Sequence, residues 1–108
     1  MSHKEIRCHG IYIDELLYSI FDEIIPMGLK TLYSCQGDDI IDGYISFVTI
    51  KDMLVFLKLI NNQYTSLRII YEYNREYVNY DELYNKQNDY HIRCAVEFKT
   101  INILKYFK

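Results

Sequence analysis

The 108-residue chain has no tryptophan, a single proline and only four glycines. So few chain breakers leave no stretch for a flexible linker, and the length suits one hydrophobic core. A single domain over residues 1–108 is therefore expected. No segment approaches the roughly 18 uninterrupted apolar residues that a membrane-spanning helix needs. The opening MSHKEIRCHG lacks the apolar run of a secretory signal, so a cytoplasmic location and three reduced thiols are expected. Basic charge is also scarce. Twelve Lys and Arg stand against fifteen Asp and Glu, a net charge of −3, and no basic face argues for a nucleic acid duplex as partner.

Half of the residues are hydrophobic and a quarter charged, the balance of a globular domain. In IDELLYSIFDEII, apolar residues at Ile13, Leu16, Leu17, Ile20, Phe21, Ile24 and Ile25 repeat at intervals of three and four. This predicts a helix with Asp14 as N-cap, ended by Pro26 and Gly28. LKTLYSC and YISFVTI read as strands, and their nearly continuous apolar character predicts central positions. Thr49 and Asp52 have capping-box spacing ahead of a second helix, with Met53, Leu54, Phe56, Leu57 and Ile60 facing inward. LRIIYEY predicts a third strand. In YHIRCAVEF, Ile92, Cys94, Val96 and Phe98 alternate with His91, Arg93, Ala95 and Glu97, the pattern of a fourth. TINILKYFK predicts a short helix capped by Thr100. The expected class is α+β, in the order α-β-β-α-β-β-α. Its simplest packing is a four-stranded, mostly antiparallel sheet with helices on one face, a ferredoxin-like relative being one possible form. Residues 74–89 show no clear periodicity and read as a long loop or a short helix.

Between the first two strands lies SCQGDDIIDG, residues 34–43. Gly37 permits positive φ, so that nearby amides would converge on an anion. Gln36 both donates and accepts. Asp38, Asp39 and Asp42 suit sugar hydroxyls or a hard cation, with Lys30 offsetting their charge. The competing reading is a structural turn, in which Ser34 and Asp38 satisfy backbone groups and Cys35 packs as a small hydrophobe.

Together IDELL, GLKTLYSCQGDD and GYISF resemble a family of small, largely uncharacterised proteins of viruses, phages and bacteria. Its pattern is Ile-Asp-Glu at a helix start, Gly-x-x-Thr-x-x-Ser-Cys-Gln-Gly through a strand end, and Tyr-Ile-x-Phe in the next strand. The resemblance covers Ile13 to Phe47, implies no activity, and fits an isoleucine- and tyrosine-rich composition of AT-biased coding. Members often carry Cys-x-x-Cys before the helix, where this chain has only Cys8-His9. A weaker similarity joins Tyr33–Gly37 to the Ser-Ser-Cys-Ser-Gly-Arg turn of tRNA wybutosine-synthesis methyltransferases. Asp38 replaces their arginine and the chain is much shorter, so methyl transfer is not implied.

Zinc would draw on Cys8, His9, Cys35, His91 and Cys94, but paired short ligand spacings are missing. His91 and Cys94 fall on opposite faces of a strand, so neither metal nor cofactor is expected. A thiol enzyme would need His9 or His91 beside Cys35, while Asp38 and Asp39 would raise its pKa. Without phosphate-loop, nucleophile-elbow or metalloprotease motifs, a non-enzymatic role is favoured. Tyr71, Tyr73, Tyr77, Tyr80, Tyr84 and Tyr90 would either stack on a ligand or cover an open sheet face.

The expected function is recognition of a small polar, nucleotide-like ligand or a host protein. The candidate residues are Ser34, Cys35, Gln36, Gly37, Asp38, Tyr77, Tyr80 and Arg93, with Arg75 a further phosphate partner. The alternatives are a homodimerisation or protein–protein module without a ligand, and an enzyme using Cys35.

Overall fold

The computed structural model describes residues 3–72 and 91–107. It opens with an element that hydropathy spacing does not reveal. Strands β1 (Glu5–Cys8) and β2 (Ile11–Asp14) pair antiparallel, with Glu5 opposite Asp14 and Cys8 opposite Ile11. His9 and Gly10 link them, at φ +48° and +88°. Two successive positive φ values make the short hairpin turn whose twist matches that of its strands.

Ile13 therefore lies in a strand rather than in a helix, although it is buried as its hydropathy requires. A 3-10 turn over Glu15–Leu17 follows, and α1 spans only Tyr18–Ile24. Leu17, Ile20, Phe21 and Ile24 face the core, whereas Leu16 is half-exposed at 50%. Asp14 does sit at the N-cap position, but its side chain caps nothing in that turn. Gly28 takes φ +87° beyond the helix, where a left-handed residue ends it.

The main sheet comprises β3 (Thr31–Cys35), β4 (Gly43–Phe47), β5 (Ser66–Glu72) and β6 (His91–Phe98). Its order is β3-β4-β6-β5, and each neighbouring pair is antiparallel. Thus β4 and β6 are central as their apolar residues demand, with Ile45 opposite Val96 and Phe47 opposite Cys94. The expected central place of β3 is corrected. It lies at an edge, with Leu32 and Tyr33 exposed and a register shift between Thr31 and Ser34. A continuous apolar run does not distinguish an edge from a centre when one of its faces meets solvent. Among the described residues, the strands and helices around this sheet follow ββαββα, not the βαββαβ order of a ferredoxin-like unit.

Helix α2 (Ile50–Leu59) begins at Thr49, whose Oγ1 accepts the Asp52 N–H at 3.2 Å. Only that half of the capping box forms, because the Asp52 carboxylate instead accepts from the Lys30 N–H at 3.1 Å. Met53, Phe56, Leu57 and Ile60 are buried, while Leu54 is 52% exposed and not inward as expected. The Phe56 ring lies 5.2 Å from Phe47, 6.0 Å from Phe98 and 6.2 Å from Phe107. It joins helix, sheet and C-terminal segment in one cluster at spacings favourable for aromatic pairs. The last helix, α3 (Thr100–Ile103), is capped at Lys99 rather than Thr100. The Thr100 hydroxyl is committed elsewhere, and its partner lies in the 36–43 turn.

Candidate functional site

Gln36 leaves the end of β3 and is held at four points. Its N–H donates to Asp14 Oδ2 at 2.9 Å, and its carbonyl accepts from Thr100 Oγ1 at 2.7 Å. Its side-chain Oε1 accepts from the Leu16 N–H at 3.0 Å, leaving Nε2 to face His3 Nδ1 at 3.1 Å. One residue thus ties the N-terminal segment, the end of β2, the 3-10 turn and α3 to the mouth of the sheet.

Gly37 follows at φ +69°. A Cβ there would stand 2.4 Å from both Gly43 N and Ile41 O, which are backbone atoms with no room to move aside. At Gly43 a Cβ would meet Thr100 Oγ1 at 2.4 Å and Gln36 O at 2.8 Å. Both glycines are dictated by close backbone approach.

The expected amide nest is corrected by these contacts. The Gln36 N–H is taken by Asp14, the Gly37 N–H faces Cys35 Sγ at 3.5 Å, and the Asp38 N–H donates to Ile41 O at 2.8 Å. These amides are engaged within the chain, by Asp14 and by the turn itself, instead of opening towards an anion. Asp38 Oδ1 accepts from the N–H groups of Ile41 and Ile40, each at 2.7 Å. Those bonds hold its carboxyl below the usual carboxylate range. Asp42 is likewise lowered, by Lys99 and by the Thr65 hydroxyl, each 2.5 Å away. Lys99, not Lys30, is the cation set against Asp42.

Beside this turn is a recess of about 450 Å³. Leu16, Ile101 and Leu104 form its apolar side, while Asp38, Asp39 and Lys99 border it with charge. None of the described tyrosines lines it, and the side chains of those expected to stack on a ligand, Tyr71 to Tyr90, lie outside the described residues. Tyr44 borders a second depression, across the 38–42 loop, together with Ile40, Ile41, Asp42 and the Arg68–Glu97 ion pair. Ile40 is 88% exposed and Ile101 82% exposed. Of the other expected site residues, Ser34 and Cys35 are half-buried at the end of β3. Tyr77 and Tyr80, with Arg75, lie outside the described residues. Arg93 sits opposite Ile70 on β6, its side chain also outside the description.

The histidines that a thiol enzyme would need beside Cys35 are elsewhere or outside the described residues. His9 Nε2 lies 2.9 Å from Asp22 Oδ1, and the His91 side chain is outside the description. Cys94 is buried in the sheet, and burial pushes its thiol pKa up. Cys8 is also buried, and burial, then Asp22, raises its thiol. Of the residues weighed for zinc from sequence, Cys8 and His9 come together with Asp22, Cys35 groups instead with His3 and Asp14, and Cys94 joins neither group. Missing from the sequence reading were Asp14 and Thr100 as anchors, Lys99, and His3. Only Gly43, a glycine opening an apolar strand, gave any local signal.

Compared with protein-family models, curated proteins and solved structures, the chain matches none. What fold and geometry define is an α+β domain bearing a braced turn beside an acidic-rimmed, apolar-sided recess.

Proposed function

We propose that this domain is a binding module that docks a partner protein through the recess and the 38–42 loop. The favoured ligand is a segment carrying basic and aliphatic side chains together. The observation that carries this reading is the lining: Leu16, Ile101 and Leu104 face two aspartates that no described cation pairs, while Lys99 is already bound to Asp42. Such a rim attracts a cation, and its apolar side rewards burial of an aliphatic stem. Ile40 adds exposed aliphatic surface on the adjoining 38–42 loop. Inward pairing of the turn's amides weighs against a phosphate-bearing ligand, which would meet Asp38 and Asp39 without compensation.

A randomised peptide library selected on the full chain tests this directly. Enrichment of peptides with Lys or Arg next to Leu, Ile or Val is expected. Ile101→Asp, and separately the double Asp38→Asn/Asp39→Asn, should each weaken the selected peptides by about tenfold or more, and salt should weaken them further. Peptides without basic residues, or binding indifferent to Ile101→Asp, would overturn the reading. A rise in melting temperature with pooled nucleotides, unaffected by Ile101→Asp, would favour the small-ligand alternative instead.

Self-association is a second reading, favoured by the exposure of Leu32 and Tyr33 on the edge strand β3. Sedimentation over a range of concentrations separates a dimer from a monomer.

A further inference from the structure

We infer that His3, Asp14 and Cys35 form a zinc(II) site with three protein ligands and a fourth position left for water or an incoming group. A ring nitrogen of His3, a carboxylate oxygen of Asp14 and Cys35 Sγ all lie within 4.8 Å of one another. Three atoms so placed share a point no more than about 2.8 Å (4.8 Å divided by √3) from each, against metal–ligand lengths of about 2.0–2.3 Å for zinc. Shifts of well under about 1 Å would complete coordination at those lengths, within reach of side-chain torsions.

The donor set selects the metal. One thiolate, one imidazole and one carboxylate suit a borderline-soft cation, whereas calcium and magnesium prefer oxygen alone. Thiolate and carboxylate together balance the charge of a divalent ion. All three residues are half-buried, so the site is partly desolvated yet open to an ion. Gln36 supplies one outer contact: its N–H donates to the Asp14 carboxylate at 2.9 Å, and such a hydrogen bond fixes ligand orientation in metal sites. Its side-chain Nε2 lies 3.1 Å from His3 Nδ1, a contact that metal taken up at that nitrogen would replace with a coordinate bond.

A second cluster, Cys8, His9 and Asp22, meets the same distance limit. There the cysteine is only 2% exposed and His9 is already paired with Asp22, so it serves as the control. The zinc site is independent of what occupies the recess, and zinc binding without peptide binding, or the reverse, separates the two proposals.

The test is zinc titration of the metal-stripped full chain against a chromophoric chelator. One equivalent should bind with a dissociation constant on the order of 1 µM or tighter. Cys35→Ser and His3→Ala should each weaken it by about tenfold or more, and His9→Asn should leave it unchanged. Asparagine tolerates the positive φ at that position. Cobalt(II) should give a thiolate-to-metal charge-transfer band that Cys35→Ser abolishes. His3 precedes β1 and belongs to no part of the core, so His3→Ala decides the matter if Cys35→Ser does not fold. Unchanged affinity in His3→Ala, loss in His9→Asn, or a cobalt complex without the thiolate band would overturn the assignment.

Discussion

Asp14 accepts the backbone N–H of Gln36 at 2.9 Å, joining the end of the first hairpin to the end of the sheet's edge strand across 22 residues of sequence. A carboxylate is the strongest common acceptor for an amide, and this one replaces the water that a turn amide at a strand end otherwise uses.

Asp14→Ala should cost about 1.5–3 kcal/mol, the range for a hydrogen bond to a charged group. Asp14→Asn, which keeps an acceptor, should cost clearly less. Urea denaturation followed by circular dichroism measures both. Equal losses would show that the bond to Gln36 is not what Asp14 contributes.

Gly37 and Gly10 both sit at positive φ, but only Gly37 is enclosed. A Cβ at Gly10 meets nothing within 4 Å, whereas at Gly37 it strikes backbone. Gly10→Ala should lose about 1–2 kcal/mol from the left-handed conformation alone. Gly37→Ala should lose that and a further amount of about 1–3 kcal/mol from overpacking. A matched pair of thermal melts tests the ordering, and equal melting temperatures would contradict the close packing of 37 against 41–43.

Phe56 is fully buried among three other phenylalanines, while Leu54 on the same helix is half-exposed. Phe56→Ala is expected to destabilise by about 3–5 kcal/mol. Leu54→Ala should stay within about 0.5 kcal/mol, as surface changes usually do. A large loss at Leu54 would mean that it packs against something outside the described residues.

Asp38 and Asp42 release their protons more readily in the folded chain than in the unfolded one, where a carboxyl titrates near about pH 3.9. The unfolded chain therefore binds more protons in that range. The stability these two groups supply is complete above it and is lost as pH falls through their lowered native values. Asp42→Asn should lower the urea midpoint at pH 7, and its gap from the wild type should close on acidification below about pH 4. A gap that persists undiminished at pH 2 would assign the loss to geometry rather than charge.

Local signals were legible because they act over one or two turns of chain. Thr49 and Asp52 reported the start of α2 through side-chain-to-backbone reach, and the alternation from Cys94 to Phe98 reported the buried face of β6. The α+β class followed from these periods. Ile13 misled because a strand and a helix bury the same side chain equally well, and its spacing to Leu16 and Leu17 fits a helix by coincidence. The true signal, Cys-His-Gly-Ile as a two-residue turn, rests on backbone dihedrals that composition only hints at.

By itself the sequence determined the class of fold, the second helix and its Thr49 cap, the strand character of the four main segments, and the need for glycine at the 37 turn. Tertiary structure alone decided that β3 lies at an edge and that Asp14 and Thr100, 22 and 64 residues from Gln36, consume its N–H and carbonyl. It also decided that Cys35 meets His3 rather than His9. The physical reason is that periodicity records which face a residue turns to the core. The partner of a polar group is chosen only when distant segments fold together, and that choice leaves no repeat along the chain.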